Sequence, residues 1–240
     1  MLSLILPAYN EARRLPASLA RCAAFFQERG LRGEIIVADD GSTDGTALAF
    51  GEASAAVAKA GVELRYLPLA HRGKGAAVRA GVLHATGDPI AFLDADLTIP
   101  VEILDPFISA IAGGADIAIA SRYVRGSTVR RPGIRRVMGA GYRAMAGVIA
   151  PADVHDTQCG GKAYTAEAAR DLFARQRLDG FAFDTEVLYL AKHAGYRVAE
   201  IPFDLVAGSE SSVDLLSDTP RMLVDLFRIR ANDLGGRYRS

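Results

Sequence analysis

The segment Ile90-Ala91-Phe92-Leu93-Asp94-Ala95-Asp96 decides the fold, because an apolar run ends directly in two carboxylates. The run predicts a buried strand, and open α/β sheets bind ligands at the carboxyl ends of such strands. Carboxylates at i and i+2 of an extended segment point the same way and repel each other unless a cation lies beside them. Their hard oxygens suit Mg²⁺ or Mn²⁺, which commonly bridge to substrate phosphates. The segment therefore predicts an enzyme that holds a diphosphate through a metal ion, although Asp-x-Asp alone also occurs in surface loops.

Strand and helix alternate on both sides of this segment in the first half of the chain. The predicted strands cover residues 2–6, 34–38, 62–67, 90–93 and 116–121, and the predicted helices cover residues 16–27, 43–60, 74–85 and 101–112. This β-α-β-α order predicts an α/β fold, with a mostly parallel, Rossmann-like sheet and helices on both faces.

The second half of the chain is less regular. Helices are predicted over residues 130–149, 166–174, 184–194 and 217–230, and a strand over residues 197–203. We expect this half to pack on the same sheet as the first. The chain is therefore interpreted as one catalytic domain with two halves, residues 1–125 and 126–240.

Composition excludes several classes of protein. Half of the 240 residues are hydrophobic, which is typical of an ordered globular chain, and the formal net charge of zero argues against a general nucleic-acid binder. Cys22 and Cys159 form no spaced cluster, so neither a disulfide framework nor a zinc site is expected. No apolar run approaches the roughly eighteen residues of a membrane span. We expect a cytoplasmic protein, at most peripheral on the inner face of a membrane.

Two more polar segments follow predicted strands. Pro7-Ala8-Tyr9-Asn10-Glu11 presents a ring and polar side chains that suit a nucleobase, the alternative being a helix cap with a surface acid. Residues 39–46 begin with Asp39-Asp40-Gly41, whose glycine allows a tight turn, and Ser42 or Thr43 is predicted to cap the next helix. The spacing of a P-loop is missing. Asp39 and Asp40 are instead predicted to accept hydrogen bonds from a nucleobase or ribose.

Three stretches carry a family resemblance: Leu4-Ile5-Leu6-Pro7-Ala8-Tyr9-Asn10-Glu11, Val37-Ala38-Asp39-Asp40-Gly41-Ser42-Thr43-Asp44-Gly45-Thr46 and Asp94-Ala95-Asp96. The chain resembles the family 2 inverting glycosyltransferases, which have a nucleotide-sugar-binding fold of GT-A type. Within that family it is most similar to the dolichyl-phosphate (polyprenyl-phosphate) glucosyltransferases. Supporting segments lie at residues 72–79, 121–123, 156–160, 183–190 and 221–226.

The resemblance implies roles for individual residues on the donor side. The nucleotide base and ribose would be lined by Pro7, Tyr9, Glu11 and Asp40. Asp94 and Asp96 would meet Mg²⁺ or Mn²⁺, directly or through water, and Thr98 stands where mannose-transferring relatives often carry a glutamine that faces the metal. Lys74, at the start of a predicted helix, would steady phosphate. The alternative for Lys74 is a first-turn lysine on a solvated face.

On the acceptor side, the resemblance implies a phosphate-binding group of arginines. Its candidates are Arg122, Arg130, Arg131, Arg135 and Arg136, because guanidinium groups match phosphate oxygens. The alternative is a solvated or membrane-facing surface. The helix over residues 130–149 combines arginines with apolar residues and could lie in a membrane interface, whereas the C-terminal helix is better read as packed on the core.

The implied reaction is an inverting, metal-dependent transfer of a hexose, with UDP-glucose as the donor and a polyprenyl or dolichyl phosphate as the acceptor. Asp96 would act in catalysis through the metal. A phosphate acceptor is already largely a dianion at neutral pH, so a general base is optional, and Asp156, Asp184 and Glu186 are the candidates if one is used. The resemblance leaves the oligomeric state open.

Two residues depart from the family pattern. Gly161 stands where close relatives usually have an aromatic residue, and Glu210 stands where they usually have a phosphate-binding lysine. A carboxylate at that place would repel phosphate. These departures keep two alternatives open: transfer to a hydroxyl of a glycan or small molecule, and a nucleotide-sugar-binding protein without catalysis.

Overall fold

The fold is known from a computed structural model that describes residues 1–58, 61–127, 133–204 and 218–238. The strands are β1 (Leu2–Ala8), β2 (Gly33–Asp39), β3 (Glu63–Pro68), β4 (Ile90–Leu93), β5 (Ile117–Ser121), β6 (Gly161–Tyr164) and β7 (Val198–Pro202). The helices are α1 (Leu15–Glu28), α2 (Thr46–Ala58), α3 (Lys74–His84), α4 (Leu104–Ala112), α5 (Gly133–Ile149), α6 (Ala166–Arg175), α7 (Phe183–Ala194) and α8 (Asp218–Leu234). None of these described helices is long and apolar enough to cross a bilayer.

The seven strands form one sheet in the order β3-β2-β1-β4-β6-β5-β7. All neighbours are parallel except β6, which runs antiparallel to both β4 and β5. The predicted mostly parallel α/β sheet is therefore confirmed. Strands from both halves of the chain lie in this sheet, while the assignment of one half to the donor and the other to the acceptor stays a prediction.

Helices cover both faces of the sheet, which explains why β1, β2, β4 and β5 read as largely apolar runs. Along β2, Ile36 and Ala38 pack into the core beneath α3, α5, α6, α7 and α8. Their neighbours Ile35 and Val37 pack into the opposite core, with α1 and α4. Since successive strand residues point to opposite faces, a strand buried on both sides is lined mostly by apolar side chains.

Two local predictions need correction. Helix α2 begins at Thr46 and not at residue 43, because the Asp44 carboxylate accepts the Thr46 N–H at 2.9 Å, while the Ser42 hydroxyl donates to Asp39. Strand β6 was not predicted at all. Its four residues include Lys162 and Gly161, so they form no apolar run, yet the lysine is completely buried.

Candidate active site

The predicted site residues converge where the strand order reverses. Strand β1 has β2 on one side and β4 on the other, so the connections leave it in opposite directions and open a crevice at its carboxyl end. Tyr9 and Glu11 follow β1, Asp39 and Asp40 lie at the end of β2, and Asp94 follows β4. The sheet thus brings all three sequence segments to a single edge.

The cation beside Asp94 is a lysine. The Lys74 ammonium, at the first position of α3, forms an ion pair with the Asp94 carboxylate, and the lysine side chain is 16% exposed. Burial lowers the pKa of Lys74, but the carboxylates of Asp94 and Asp184 more than offset this and leave it above its ordinary value. Lys74 therefore stays charged in the crevice, and the alternative of a solvated surface lysine is wrong.

Among the described residues, Asp96 has no cationic partner like that of Asp94. It lies next to the hydroxyl of Thr98, which has no hydrogen-bond partner. One oxygen of its carboxylate accepts the Thr98 N–H at 2.9 Å. The Thr98 hydroxyl oxygen is buried without a hydrogen-bond partner, which natural structures rarely leave so. Both groups offer hard oxygens of the kind that Mg²⁺ or Mn²⁺ prefers.

Asp96 and Thr98 would supply only part of the ligand shell of a divalent metal. Within the described ranges, no three His, Cys, Asp or Glu side chains are grouped to hold a metal ion. Magnesium is usually bound through one or two carboxylates together with substrate phosphates. The arrangement at Asp96 fits a cation that arrives with a diphosphate better than a permanently bound one.

A buried ion pair lies beneath Lys74. Lys162 of β6 is fully buried, and its ammonium contacts the Asp184 carboxylate and donates to the Cys159 carbonyl at 2.7 Å. Burial raises the pKa of Asp184, although both Lys162 and Lys74 act to lower it. The charges thus alternate from Asp94 through Lys74 and Asp184 to Lys162. Sequence reasoning missed Lys162, because a lone lysine between small residues gives no signal of burial.

Gly160 permits the close approach of β6 to the acidic pair. The Asp94 N–H donates to the Gly160 carbonyl at 3.2 Å, and a Cβ added at Gly160 would lie 2.0 Å from an oxygen of Asp94. Any side chain at this position must therefore displace the carboxylate. The neighbouring Gly161, one of the departures from the family pattern, packs against Ile99 and Leu93 on the same edge.

We expect Gly160→Ala to lower turnover about 10- to 100-fold, because a misplacement of about 1 Å can have such an effect on a reacting centre. The melting temperature should change by only a few degrees, since Asp94 is partly exposed and can turn outward. Gly51→Ala is the matched control, because a Cβ there meets nothing within 4 Å. Steady-state kinetics and thermal melts of both variants test this, and normal turnover by Gly160→Ala would show that the position of Asp94 is unimportant.

At the carboxyl end of β2, Asp39 and the following residue Asp40 already have hydrogen-bond partners within the chain. Asp39 accepts hydrogen bonds from the Ser42 N–H at 2.9 Å and from the Tyr66 hydroxyl. Asp40 accepts the Arg72 and Gly73 N–H groups at 2.9 and 2.8 Å. These carboxylates shape the loops around the crevice, and a nucleotide would have to share their oxygens. Their direct contact with a base or ribose stays a prediction.

An aromatic platform lies at the rim of the same end. The Tyr9 ring, 45% exposed, stacks on His71 with 4.2 Å between ring centroids and 20° between planes. His71 was not predicted, since it belongs to no motif. Glu11 pairs with Arg14 at 2.7 Å, and burial raises its pKa, with smaller contributions from Asp96 and Asp94. Pro7 is the penultimate residue of β1 and is partly buried.

The remaining predicted residues are engaged with each other or in the core. Arg122 forms a two-point ion pair with Asp156, both contacts at 2.6 Å, so the candidate phosphate ligand and the candidate base neutralise each other. Glu186 is fully buried and accepts hydrogen bonds from the Leu178 N–H and the Tyr238 hydroxyl. Glu186 therefore holds the turn before α7, and its part as a base stays a prediction. Arg130, Arg131 and Glu210 lie outside the described residues, as do the side chains of Arg135 and Arg136.

Comparison with known proteins decides the family. The sequence model described as glycosyl transferase family 2 matches residues 3–173, which include nearly all of β1, the whole of β2 to β6, and the crevice residues from Tyr9 to Asp96. The chain belongs to glycosyltransferase family 2. It is therefore a glycosyltransferase, and the resemblance drawn from the three motifs is confirmed.

Relatives extend the likeness over nearly the whole chain. The dolichyl-phosphate beta-glucosyltransferase of Drosophila melanogaster is 35% identical over 99% of this chain and 77% of its own length. The enzymes of the same name from Saccharomyces cerevisiae and Homo sapiens are 32% and 31% identical over 100% and 99% of this chain, and 77% of each relative is covered.

Solved structures support the fold. A glucosyl-3-phosphoglycerate synthase from Mycobacterium tuberculosis, crystallised with Mn²⁺, UDP-glucose and phosphoglyceric acid, matches with a TM-score of 0.69 and 20% identity, over 97% of this chain and 80% of that one. A mannosyl-3-phosphoglycerate synthase from Rubrobacter xylanophilus matches with a TM-score of 0.70 and 20% identity, over 100% of this chain and 76% of that one. The predicted GT-A type fold is confirmed.

Proposed function

We propose that this family 2 glycosyltransferase moves glucose from UDP-glucose to a polyprenyl (dolichyl) phosphate, with inversion and with the help of Mg²⁺ or Mn²⁺. The observation that carries the proposal is the meeting of Asp96, the Asp94–Lys74 pair and the Tyr9–His71 stack in one crevice. The relatives named above, whose names specify glucose and dolichyl phosphate, align along almost the whole chain. Nucleotide sugar and metal together are seen in the Mycobacterium tuberculosis structure.

The donor would lie across the crevice from the aromatic platform to Lys74. The stack of Tyr9 and His71 offers a face for the base. The diphosphate would lie near the N-terminus of α3, where backbone N–H groups and the Lys74 ammonium favour negative charge. Asp96 and the Thr98 hydroxyl would hold the cation, which offsets the charge that develops on the departing diphosphate. These groups act where charge develops, so they stabilise the transition state and not only the bound substrate.

In the transfer itself, an oxygen of the acceptor phosphate forms a bond to C1 of glucose as the bond from C1 to the UDP oxygen breaks. The electron pair of the broken bond leaves with UDP. A phosphate dianion carries no proton that must be removed, whereas a hydroxyl acceptor needs a base. Asp156 is paired with Arg122, Asp184 with Lys162, and Glu186 is bonded within the core. The engagement of all three candidate bases favours a phosphate acceptor over a hydroxyl.

We expect UDP-glucose labelled in the sugar to give a product that extracts into organic solvent when the protein is incubated with a polyprenyl phosphate and Mn²⁺. The matched reactions contain the corresponding polyprenol, which has a hydroxyl in place of the phosphate, and GDP-mannose in place of UDP-glucose. Transfer to the phosphate with little transfer to the polyprenol supports the proposal. Label found only in water-soluble glycosides would establish the hydroxyl-acceptor alternative.

A further inference from the structure

The segment that joins α6 to α7, residues 176–182, packs closely against the start of α3, and we call it the α6–α7 connector. A Cβ added at Gly73 would lie 2.6 Å from one carbonyl oxygen of the connector, and a Cβ added at Gly75 would lie 2.8 Å from another. Real Cβ atoms do not come so close to a backbone oxygen, so glycine is needed at both positions for this approach. Lys74 lies between the two glycines, and the connector therefore helps to set where its backbone lies.

Hydrogen bonds fix the same contact. The Asp179 carbonyl accepts the Ala76 N–H at 3.1 Å, which satisfies one of the N–H groups that the first turn of a helix leaves without a helical partner. The buried Gln176 amide donates to the Gly75 carbonyl at 3.0 Å and to the Leu178 carbonyl at 2.7 Å. A shift of the connector would therefore be passed on to the first turn of α3.

The connector is held in turn by the carboxylate of Glu186. This carboxylate accepts the Arg177 N–H at 3.1 Å and the Leu178 N–H at 2.9 Å, so both bonds end on the backbone of the connector. Its third donor is the hydroxyl of Tyr238, a residue that follows α8, at 2.5 Å. Burial raises the pKa of Glu186, and all three donors act against this by favouring the charged carboxylate. The Tyr238 hydroxyl thus stabilises the group that anchors the connector.

We propose that Tyr238 and Glu186 are positioning residues for the donor diphosphate, and that they act on the Lys74 ammonium through the α6–α7 connector. This inference rests on the proposed function, because it takes the start of α3 as the diphosphate site. Glu186 is fully buried and Tyr238 is 5% exposed, so both act through their neighbours and not on the substrate. The group that they place is the ammonium beside Asp94, at the first position of α3.

Tyr238→Phe tests the proposal, because it removes the hydroxyl and keeps the ring in the core. We expect UDP binding in the presence of Mn²⁺ to weaken about 3- to 30-fold, the range for substitutions that modulate a site without touching its ligand. The KM for UDP-glucose should rise in parallel, whereas the KM for the polyprenyl phosphate should stay the same. Calorimetric titration and steady-state kinetics, both well below the melting temperature, measure these effects, since a loss of stability alone would leave them unchanged.

The matched control is Tyr189→Phe. Tyr189 is also buried, and its hydroxyl donates at 2.7 Å to a carboxylate, that of Asp233 on α8, which is not the anchor of the connector. Both variants therefore lose a hydrogen bond from a buried tyrosine to a carboxylate, and both should melt a few degrees below the wild type. UDP affinity should fall only in Tyr238→Phe.

A double-variant cycle identifies the route of the effect. If Tyr238 acts through the Lys74 ammonium, Tyr238→Phe should weaken UDP binding by less than about 2-fold in a protein that already carries Lys74→Met. Losses that multiply fully in the double variant would mean that the two residues act independently.

The outcomes separate this inference from the proposed function. Wild-type UDP affinity in Tyr238→Phe would overturn the inference, as would an equal loss in Tyr189→Phe or independent effects in the cycle with Lys74→Met. If the wild type also transfers glucose to a polyprenyl phosphate, the proposed function survives that result. UDP affinity that depends on Tyr238 without transfer to any prenyl phosphate would refute the proposed function alone, and a wild type that binds no UDP would refute both.

Discussion

Asp96→Asn is expected to lower turnover by at least about 100-fold, the effect of removing one preorganised group that stabilises developing charge. Asparagine keeps the oxygen that accepts the Thr98 N–H, so the turn after β4 is preserved while the negative charge is lost. Asp94 cannot replace it, because its carboxylate is already paired with Lys74. The substitution should slow the chemical step and weaken the metal dependence of nucleotide binding. The melting temperature should be unchanged.

Two measurements make this test specific. Single-turnover kinetics report the chemical step, and calorimetric titration with UDP, with and without Mn²⁺, reports binding in the absence of any reaction. We expect Mn²⁺ to strengthen UDP binding to the wild type and to have little effect on Asp96→Asn. Asp105→Asn is the control, because Asp105 is an exposed acid on α4 that pairs with Arg29. Near-normal turnover by Asp96→Asn would remove the metal from the proposed mechanism.

The architecture could be predicted from the sequence because this sheet is buried on both faces. The strands β1, β2, β4 and β5 are then largely apolar runs, and the helices between successive strands of the first half end near a glycine or polar residue. The position of the site followed from the same property, since polar residues directly after β1, β2 and β4 must meet at one edge. The sequence thus predicts that Asp94, Asp96 and Tyr9 lie together.

The state of the charges could not be predicted in the same way. The sequence shows that Asp94 and Lys74 are both near the crevice, but not that they pair, and it gives Arg122 and Asp156 separate roles although they bind each other. Such pairings depend on long-range geometry that no local pattern encodes. Lys162 is the clearest case, because its strand runs antiparallel between β4 and β5 and takes its burial entirely from its neighbours.

The buried pair of Lys162 and Asp184 leads to the second large expected effect. Lys162→Met should lower the free energy of unfolding by about 3–5 kcal/mol, because breaking a buried ion pair leaves the other charge without compensation. Methionine keeps most of the length and apolar contact of the lysine side chain, so little of the loss comes from packing. The matched control is Lys192→Met, since Lys192 and Asp153 form an exposed pair at 2.7 Å, and there the loss should be under about 1 kcal/mol.

The double variant Lys162→Met with Asp184→Asn distinguishes charge from packing. If the buried carboxylate is the cause, removing it should restore at least half of the stability lost by Lys162→Met, as measured by urea unfolding.

The pH dependence of the stability of Lys162→Met is an independent test. Burial already raises the pKa of Asp184, and losing Lys162 raises it further above its value in the unfolded chain. The native state of Lys162→Met then binds more protons than the unfolded state, so its stability falls as pH rises through that range. The destabilisation should therefore be smaller in mild acid than at neutral pH. A loss that is independent of pH and is not restored by Asp184→Asn would mean that Lys162 contributes through its packing and its bond to the Cys159 carbonyl, and that the charges behind Lys74 are not coupled.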